Sequence, residues 1–421
     1  MSREMKHSGI EWIGEIPKEW EVNKIGNLYH VRNEKVSDKD FPPLSVTMNG
    51  IVPQLETAAK TNNGDDRKLV RKGDFAINSR SDRRGSCGVS QYDGSVSLIN
   101  TILMPRTSMN SQYYNWLFHT ELFADEFYKW GHGIVDDLWT TRWQEMKNIS
   151  IVYPSLTEQQ KIADYLDKVC GEVDEMIALQ EQMIEELKAY KQSVITESVT
   201  KGLNPNVPMK DSGIDWIGEV PKGWEIKPLK RIVKKQLQYG ANESGVAFDE
   251  KLPRYVRITD ILDNNLREDI TKLSLTEEQA NGFILENDDI LFARSGGTVG
   301  KAFIYKKKYG RCAFAGYLIR AQIEDNCSDF IFYFTQSYPY EEWKRRIFIQ
   351  ATIQNIGADR YSLLEIPIPP FSEQQSIASY LDTKCAEIDD LIALKQTKIE
   401  ELKDYKKSVI YEYVTGKKEV V

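Results

Sequence analysis

The stretch Thr157-Glu-Gln-Gln-Lys-Ile-Ala-Asp-Tyr-Leu-Asp167 returns nearly unchanged as Ser372-Glu-Gln-Gln-Ser-Ile-Ala-Ser-Tyr-Leu-Asp382. Each copy opens a longer repeat: residues 157–199 and 372–414 stand 215 positions apart and agree at 26 of 43 positions. A shorter repeat lies upstream of each. Ser8-Gly-Ile-Glu-Trp-Ile-Gly-Glu-Ile-Pro-Lys-Glu-Trp-Glu-Val22 recurs at 212–226 with 11 of 15 residues identical. Between short and long repeats sit two segments, 23–153 and 227–368, that share little. The order is motif, variable segment, helix, then all three again, which is a duplication and not a solenoid array.

The long repeat has a coiled-coil period. One row reads Leu166, Val173, Gln180, Leu187, Val194, with a companion row Ile162, Val169, Met176, Met183, Tyr190. The second copy runs Leu381, Ile388, Lys395, Leu402, Val409. Apolar residues every 3.5 positions predict a helical seam. Both copies break it at one place, Gln180 and Lys395, and an antiparallel pair about a two-fold would bring these two together to set register. The same pairing keeps Cys170 and Cys385 roughly 30 Å apart along helices about 64 Å long. Thr157 with Gln160, and Ser372 with Gln375, have capping-box spacing. Pro154 and Pro370 stand just upstream, where proline is tolerated.

The expected architecture is mixed α/β: two globular α+β recognition domains joined by two long antiparallel coiled-coil helices, with a pseudo-two-fold internal repeat. The boundaries in chain order are 1–153, 154–202 for the first helix, 203–368 with its linker and short motif, and 369–421 for the second helix. Within the first variable segment, Lys68-Leu-Val-Arg-Lys-Gly-Asp-Phe-Ala-Ile77, with its turn at Gly73, and 97–103 read as strands. Residues 113–130 have helical spacing. Asp288-Asp-Ile-Leu-Phe-Ala293 occupies the place of Gly73-Asp-Phe-Ala-Ile77, so the variable segments should share a skeleton and differ in their loops.

The totals bound the function. The 421 residues suffice for two or three domains with their own cores. No run of 18 apolar residues predicts a membrane span, and no apolar stretch follows Met1 as a secretory signal would, so a cytoplasmic location is expected. Five cysteines without a CxxC pair suit reduced thiols. The net charge of −8 is concentrated in the long repeats, which carry −6 and −3, and leaves room for basic patches elsewhere.

Enzyme signatures are missing. The Pro-Pro strings Phe41-Pro-Pro-Leu44 and Ile368-Pro-Pro-Phe371 lack the polar first residue of an adenine methyltransferase motif. Ser295-Gly-Gly-Thr-Val-Gly-Lys-Ala302 lacks both the first glycine and the Ser/Thr of a phosphate loop. The four histidines have no metal-ligand spacing. We therefore expect no catalytic residue, no metal and no cofactor in this chain.

Basic loops are present instead. Residues 67–84 carry a net of +5 and residues 294–311 a net of +6, each after the same predicted strand. Lysine and arginine bind phosphates, and arginine also reads guanine in the major groove. The candidate DNA-binding residues are Arg80, Arg83 and Arg84 in one half, and Arg294, Ser295 and Lys301 in the other. A second surface precedes each long helix, with Arg142 inside Trp139-Thr-Thr-Arg-Trp143, and Gln354 and Arg360 in the other half.

The intact Glu-Gln-Gln-x-Ile at 158–162 and 373–377, together with the Ser-Gly-Ile-[Glu/Asp]-Trp-Ile-Gly-Glu motif, resembles the specificity subunit of Type I restriction–modification systems over essentially the whole chain. The resemblance implies that each variable segment is a target recognition domain reading half of a split, asymmetric DNA site. It implies helices that space the halves and dock two methyltransferase subunits, with two restriction subunits joining. Those partners, not this chain, would use S-adenosylmethionine, ATP and Mg2+. A stand-alone DNA binder, an enzyme of unfamiliar motif and a pure coiled-coil scaffold are the rival readings; the last leaves the basic loops unexplained.

Overall fold

A computed structural model describes residues 3–55, 64–133, 139–262, 264–349 and 354–420. The chain forms two units, Met1–Glu181 with Gln396–Val421, and Gln182–Lys395. Each is built from a mixed α/β module and one half of each long helix, Leu156–Lys201 and Phe371–Val414.

In the first unit, strand Glu21–Lys24 pairs antiparallel with Ser150–Tyr153, the strand that leads into the first long helix. A four-stranded sheet follows the order Cys87–Val89, Phe75–Asn78, Asn100–Pro105, Tyr29–Arg32. The helical spacing at 113–130 resolves into two helices. Asn110 caps Ser111–Phe118 and Thr120 caps Glu121–Lys129, each side-chain oxygen accepting a backbone N–H of the first turn. Their buried faces supply Tyr113, Tyr114, Phe118, Phe123 and Phe127, which pack with Tyr29 and Phe75 into an aromatic core.

The second unit repeats the plan. Glu225–Pro228 pairs with Glu365–Ile368 before the second long helix. The sheet order is Gln238–Tyr239, Leu318–Ala321, Ile290–Ala293, Ala302–Ile304. A further four-stranded sheet contains a parallel pair, Arg254–Val256 with Cys312–Phe314. The expected shared skeleton is visible at the turn before the matched strands. Gly73 and Asp288 both take positive φ, 92° and 70°. This is ordinary for glycine and tolerated by aspartate. The next residue is a buried aspartate in both, Asp74 accepting from Arg71 N at 2.8 Å and Asp289 from Glu286 N at 2.9 Å.

The repeated Glu-Gln-Gln proves to be a structural clamp. The Trp20 indole N–H donates to Glu158 at 2.7 Å, and Trp224 of the second short motif donates to Glu373 at 3.2 Å. Gln159, 1% exposed, accepts from Asn110 N and donates to Pro154 O, both at 2.8 Å. Gln374 accepts from Cys327 N at 2.8 Å and donates to Pro369 O at 2.9 Å. Each glutamine thus ties the segment leading into the long helix to the start of a module helix, Ser111–Phe118 in the first unit and Ser328–Phe334 in the second. The short motif packs on a duplicated partner, as its own duplication required.

The expected capping boxes are displaced. The first long helix starts at Leu156, and Ser155 Oγ accepts from Glu158 N at 3.3 Å. The second starts at Phe371, where the Pro370 carbonyl accepts from Glu373 N and Gln374 N. Thr157 and Ser372 therefore lie inside the first turn. Gln160, the expected partner of Thr157, bonds to the Asn110 and Asp164 side chains instead.

Within each unit the helix halves run antiparallel. Asp174 meets Lys406 at 2.6 Å and the Tyr165 and Tyr413 rings lie 4.4 Å apart in the first unit. Lys191 meets Asp389 at 2.7 Å in the second. The Leu166 and Leu381 rows are buried as expected, apart from half-buried Gln180, Leu187, Val194 and Lys395. The companion row is corrected, because Met176 and Tyr190 are exposed. Its place is taken by Ala163, Cys170, Ile177, Ile184, Lys191 and Ser198, one helical step round, which are buried or half-buried. All five cysteines are free thiols.

Candidate nucleic-acid interface

Both matched strands end in a loop that turns back against the segment preceding the last short helix. In the first unit Arg80 forms an antiparallel bridge with Thr140, and Thr141 N donates to Ser79 O at 2.9 Å. In the second, Ser295 bridges Asn355, and Ile356 N donates to Arg294 O at 2.9 Å. The two bridges are related by the same 215-residue offset as the helices. The two surfaces proposed separately from sequence are thus one surface in each unit, joining Arg80 to the Arg142 segment and Arg294 and Ser295 to the Gln354 segment.

The individual side chains differ. Arg80 and Arg294 are half-buried, whereas Arg142, Lys301, Gln354 and Arg360 are exposed. The Arg294 guanidinium lies over the Tyr239 ring at 5.0 Å, and the Arg294 backbone N–H donates to the Tyr317 carbonyl. Tyr239 and Tyr317 are themselves exposed, so guanidinium and aromatic faces meet at this edge. Arg83 is 3.7 Å from its neighbour Asp82 and Arg84 is paired with Asp125. Among the described residues, Arg80, Arg142, Arg294, Lys301 and Arg360 make no ion pair.

The linear charge clusters break up in space. Arg67 is buried and donates to Ser95, Lys68 donates to Asn100 O, and Arg71 pairs with Asp93. Burial lowers the pKa of Arg67 and Lys68, which act as structural cations. Strand Ala302–Ile304 separates Lys301 from Lys306, which is neutralised by Asp288 and Asp329. Arg311 pairs with Glu277. The run of six cations without an acid was real in sequence, yet only its Arg294–Lys301 end belongs to the surface built around Asn355.

A basic run missed from sequence is Lys230-Arg-Ile-Val-Lys-Lys235, with four cations and no acid. Its brevity hid it; its position, one turn after the strand Glu225–Pro228, was the available signal. Among the described residues no group of three or more His, Cys, Asp or Glu could hold a metal, and no helix is long and apolar enough to cross a membrane.

Two diverged α+β modules, each carrying a basic loop surface and a helix of the same repeat, define an internally duplicated protein. The chain belongs to the family described as the Type I restriction modification DNA specificity domain, whose model matches residues 17–189 and 221–404. It is 26% identical over 287 residues to the Type I restriction enzyme MjaVIII specificity subunit of Methanocaldococcus jannaschii, a match covering 64% of this chain and 62% of that protein. It is 25% identical over 444 residues to the putative MjaX specificity subunit of the same organism, covering 96% of this chain and 95% of that protein. A chain solved in work on complex assembly and conformational transition of the type I R-M system has the same fold, with a TM-score of 0.73 at 15% identity over 95% of this chain and 98% of that one.

Proposed function

We propose that this chain is the non-catalytic specificity subunit of a Type I restriction–modification complex, reading a bipartite, asymmetric DNA site and directing adenine methylation or restriction by partner subunits. The observation that carries this reading is the equivalent pair of bridges, Arg80 to Thr140 and Ser295 to Asn355. The backbone frame is repeated while the side chains on it differ. A repeated frame presents two readers, and different side chains on it would specify different half-sites. Arg80, Arg83, Arg84 and Arg142 would serve one half, and Arg294, Ser295, Lys301, Gln354 and Arg360 the other. We assign register setting to Gln180 and Lys395, the polar breaks in otherwise apolar rows.

The helix surface supports two docking sites for one kind of partner. Met176, Leu179 and Tyr405 are exposed in the first unit, and their repeat equivalents Leu391, Leu394 and Tyr190 are exposed in the second. Large apolar side chains exposed together mark interaction surfaces. Equivalent trios suit two methyltransferase subunits, with two restriction subunits completing the assembly on double-stranded DNA in the cytoplasm. The partners would supply S-adenosylmethionine, ATP and Mg2+ chemistry.

Co-expression with the neighbouring methyltransferase, followed by mapping of modified adenines across the host genome, tests the reading. A split motif with two specified blocks around an unspecified gap is expected. A soluble, associated pair that modifies no motif would remove the proposed role.

A further inference from the structure

The two units differ beside the interface. In the first, the strand Tyr29–Arg32 pairs continuously with the strand Asn100–Pro105, from Tyr29 opposite Pro105 to Arg32 opposite Ile102. In the second, Val233 stands opposite Ile323 and Gln238 opposite Arg320. Five steps on one strand therefore face three on the other, and two extra residues bulge from the ladder. Lys234, Lys235 and Gln236 lie in that bulge and are exposed.

The bulge, Lys230 and the short helix Ala358–Ser362 border a half-open cleft of about 390 Å3, whose lining includes Lys230, Lys234, Lys235, Leu237, Asp359 and Ser362. Its lining thus holds three lysines and a single acidic residue, Asp359. None of the three lysines makes an ion pair among the described residues. The cleft adjoins the candidate interface, since Ala358 N donates at 2.9 Å to the hydroxyl of Tyr239, the ring beneath Arg294.

The first unit cannot form this site. Lys230 corresponds to Gly26 through the 204-residue offset of the short motif. A Cβ on Gly26 would meet Lys147 Cβ at 2.9 Å and its carbonyl oxygen at 3.0 Å. Lys147 itself occupies the position of Ser362, and its ammonium donates to Gln144 at 2.6 Å. Gly26 thus stands where Lys230 would be, with no room for a side chain against Lys147.

We propose that the lysine-lined cleft of the second unit binds phosphodiester groups of the DNA backbone, so that the two half-sites are held unequally, the second with more charge. The site rests on the DNA-reading function proposed above and extends it from base reading to backbone anchoring. Backbone contacts fix position and carry no sequence information. The lysines should therefore govern affinity and salt dependence, not the motif.

The test uses the full chain co-purified with its methyltransferase. Affinity for a duplex containing its motif is measured between about 50 and 200 mM salt, for the native complex and for the triple variant Lys230→Gln, Lys234→Gln, Lys235→Gln. Loss of three phosphate contacts should flatten the log–log salt slope by about 2.7, so the native complex loses about 40-fold more affinity than the variant across that range. The methylated motif should not change, and the corresponding triple Lys→Arg variant should keep the native slope. A glutamine variant with the native slope, or one with an altered motif, would overturn the site while leaving the DNA-reading function intact. Absence of salt-dependent duplex binding by the native complex would instead remove both.

Discussion

Lys191 Nζ lies 2.7 Å from both carboxylate oxygens of Asp389, and Lys406 repeats the arrangement on Asp174 at 2.6 and 2.7 Å. Each lysine and each aspartate is 215 positions from its counterpart. The internal symmetry therefore reaches individual atoms, with one copy of the pair in each unit. Both pairs are partly solvated, the lysines 25% and the aspartates 58% exposed. Lys191→Ala and Lys406→Ala should each cost about 0.5 kcal/mol at low salt and less at high salt. A double-mutant cycle within each pair, read by urea unfolding, measures this; a coupling that does not fade with salt would contradict it.

The buried clamp glutamines should matter far more. Gln159→Ala leaves Asn110 N and Pro154 O without their partner inside the core, a loss of about 2–3 kcal/mol. Gln374→Ala should cost a similar amount by unpairing Cys327 N and Pro369 O. Gln160, exposed and bonded to the Asn110 side chain, is the control and should cost under about 0.5 kcal/mol. Equal effects for Gln159 and Gln160 would refute the clamp.

Base-reading substitutions should act on one half-site at a time. Arg294→Ala should relax the methylated motif in one block by about 1–3 kcal/mol of discrimination, and Arg80→Ala should do so in the other. Sequencing of methylated genomes from the two variants separates the effects. Simultaneous weakening of both blocks by each variant would argue against independent readers.

The exposed trios make a stoichiometric prediction. Replacing Tyr190, Leu391 and Leu394 by serine should leave a complex with one methyltransferase subunit, and replacing both trios should leave none. Native mass spectrometry counts the subunits. Retention of two partners by the doubly altered chain would place the docking surface elsewhere.

Burial in the first unit pushes the Cys170 thiol up to about 11. At pH 8 it holds roughly 100-fold less thiolate than an ordinary cysteine, and the thiolate is the reactive form. Iodoacetamide should label it slowly in the folded chain, faster as pH rises toward 11, and at once after unfolding. Fast labelling at pH 8 would show that the helix seam opens there.

Sequence carried the features that repeat. Identity at an offset of 215 residues located both helices, and the 11 residues shared between 8–22 and 212–226 located the two short motifs. Features set by distant partners were hidden. Lys306 reads as a free cation until Asp288 and Asp329 close on it, and Arg84 until Asp125 does. Tyr190 fits a 3.5-residue row as well as Lys191 does by spacing alone, and only the direction from which the other helix approaches decides which is covered. The cap at Ser155 was missed because Thr157 offered the same chemistry two residues on. The two halves of each interface could not be joined from sequence, because about 60 residues separate Arg80 from Thr140 and Ser295 from Asn355.

The first unit is closed by residues 396–421, and the Tyr113 hydroxyl donates to Val414 O across 301 positions of chain. Ribosomes extend a chain at about 5–20 residues per second. The module around Tyr113 is therefore synthesised about 300 residues before Val409 and Val414, which complete its aromatic core. The contiguous unit 182–395 can fold in the meantime. The unit begun first is thus the one completed last, so order of synthesis and order of closure run opposite ways for the two units.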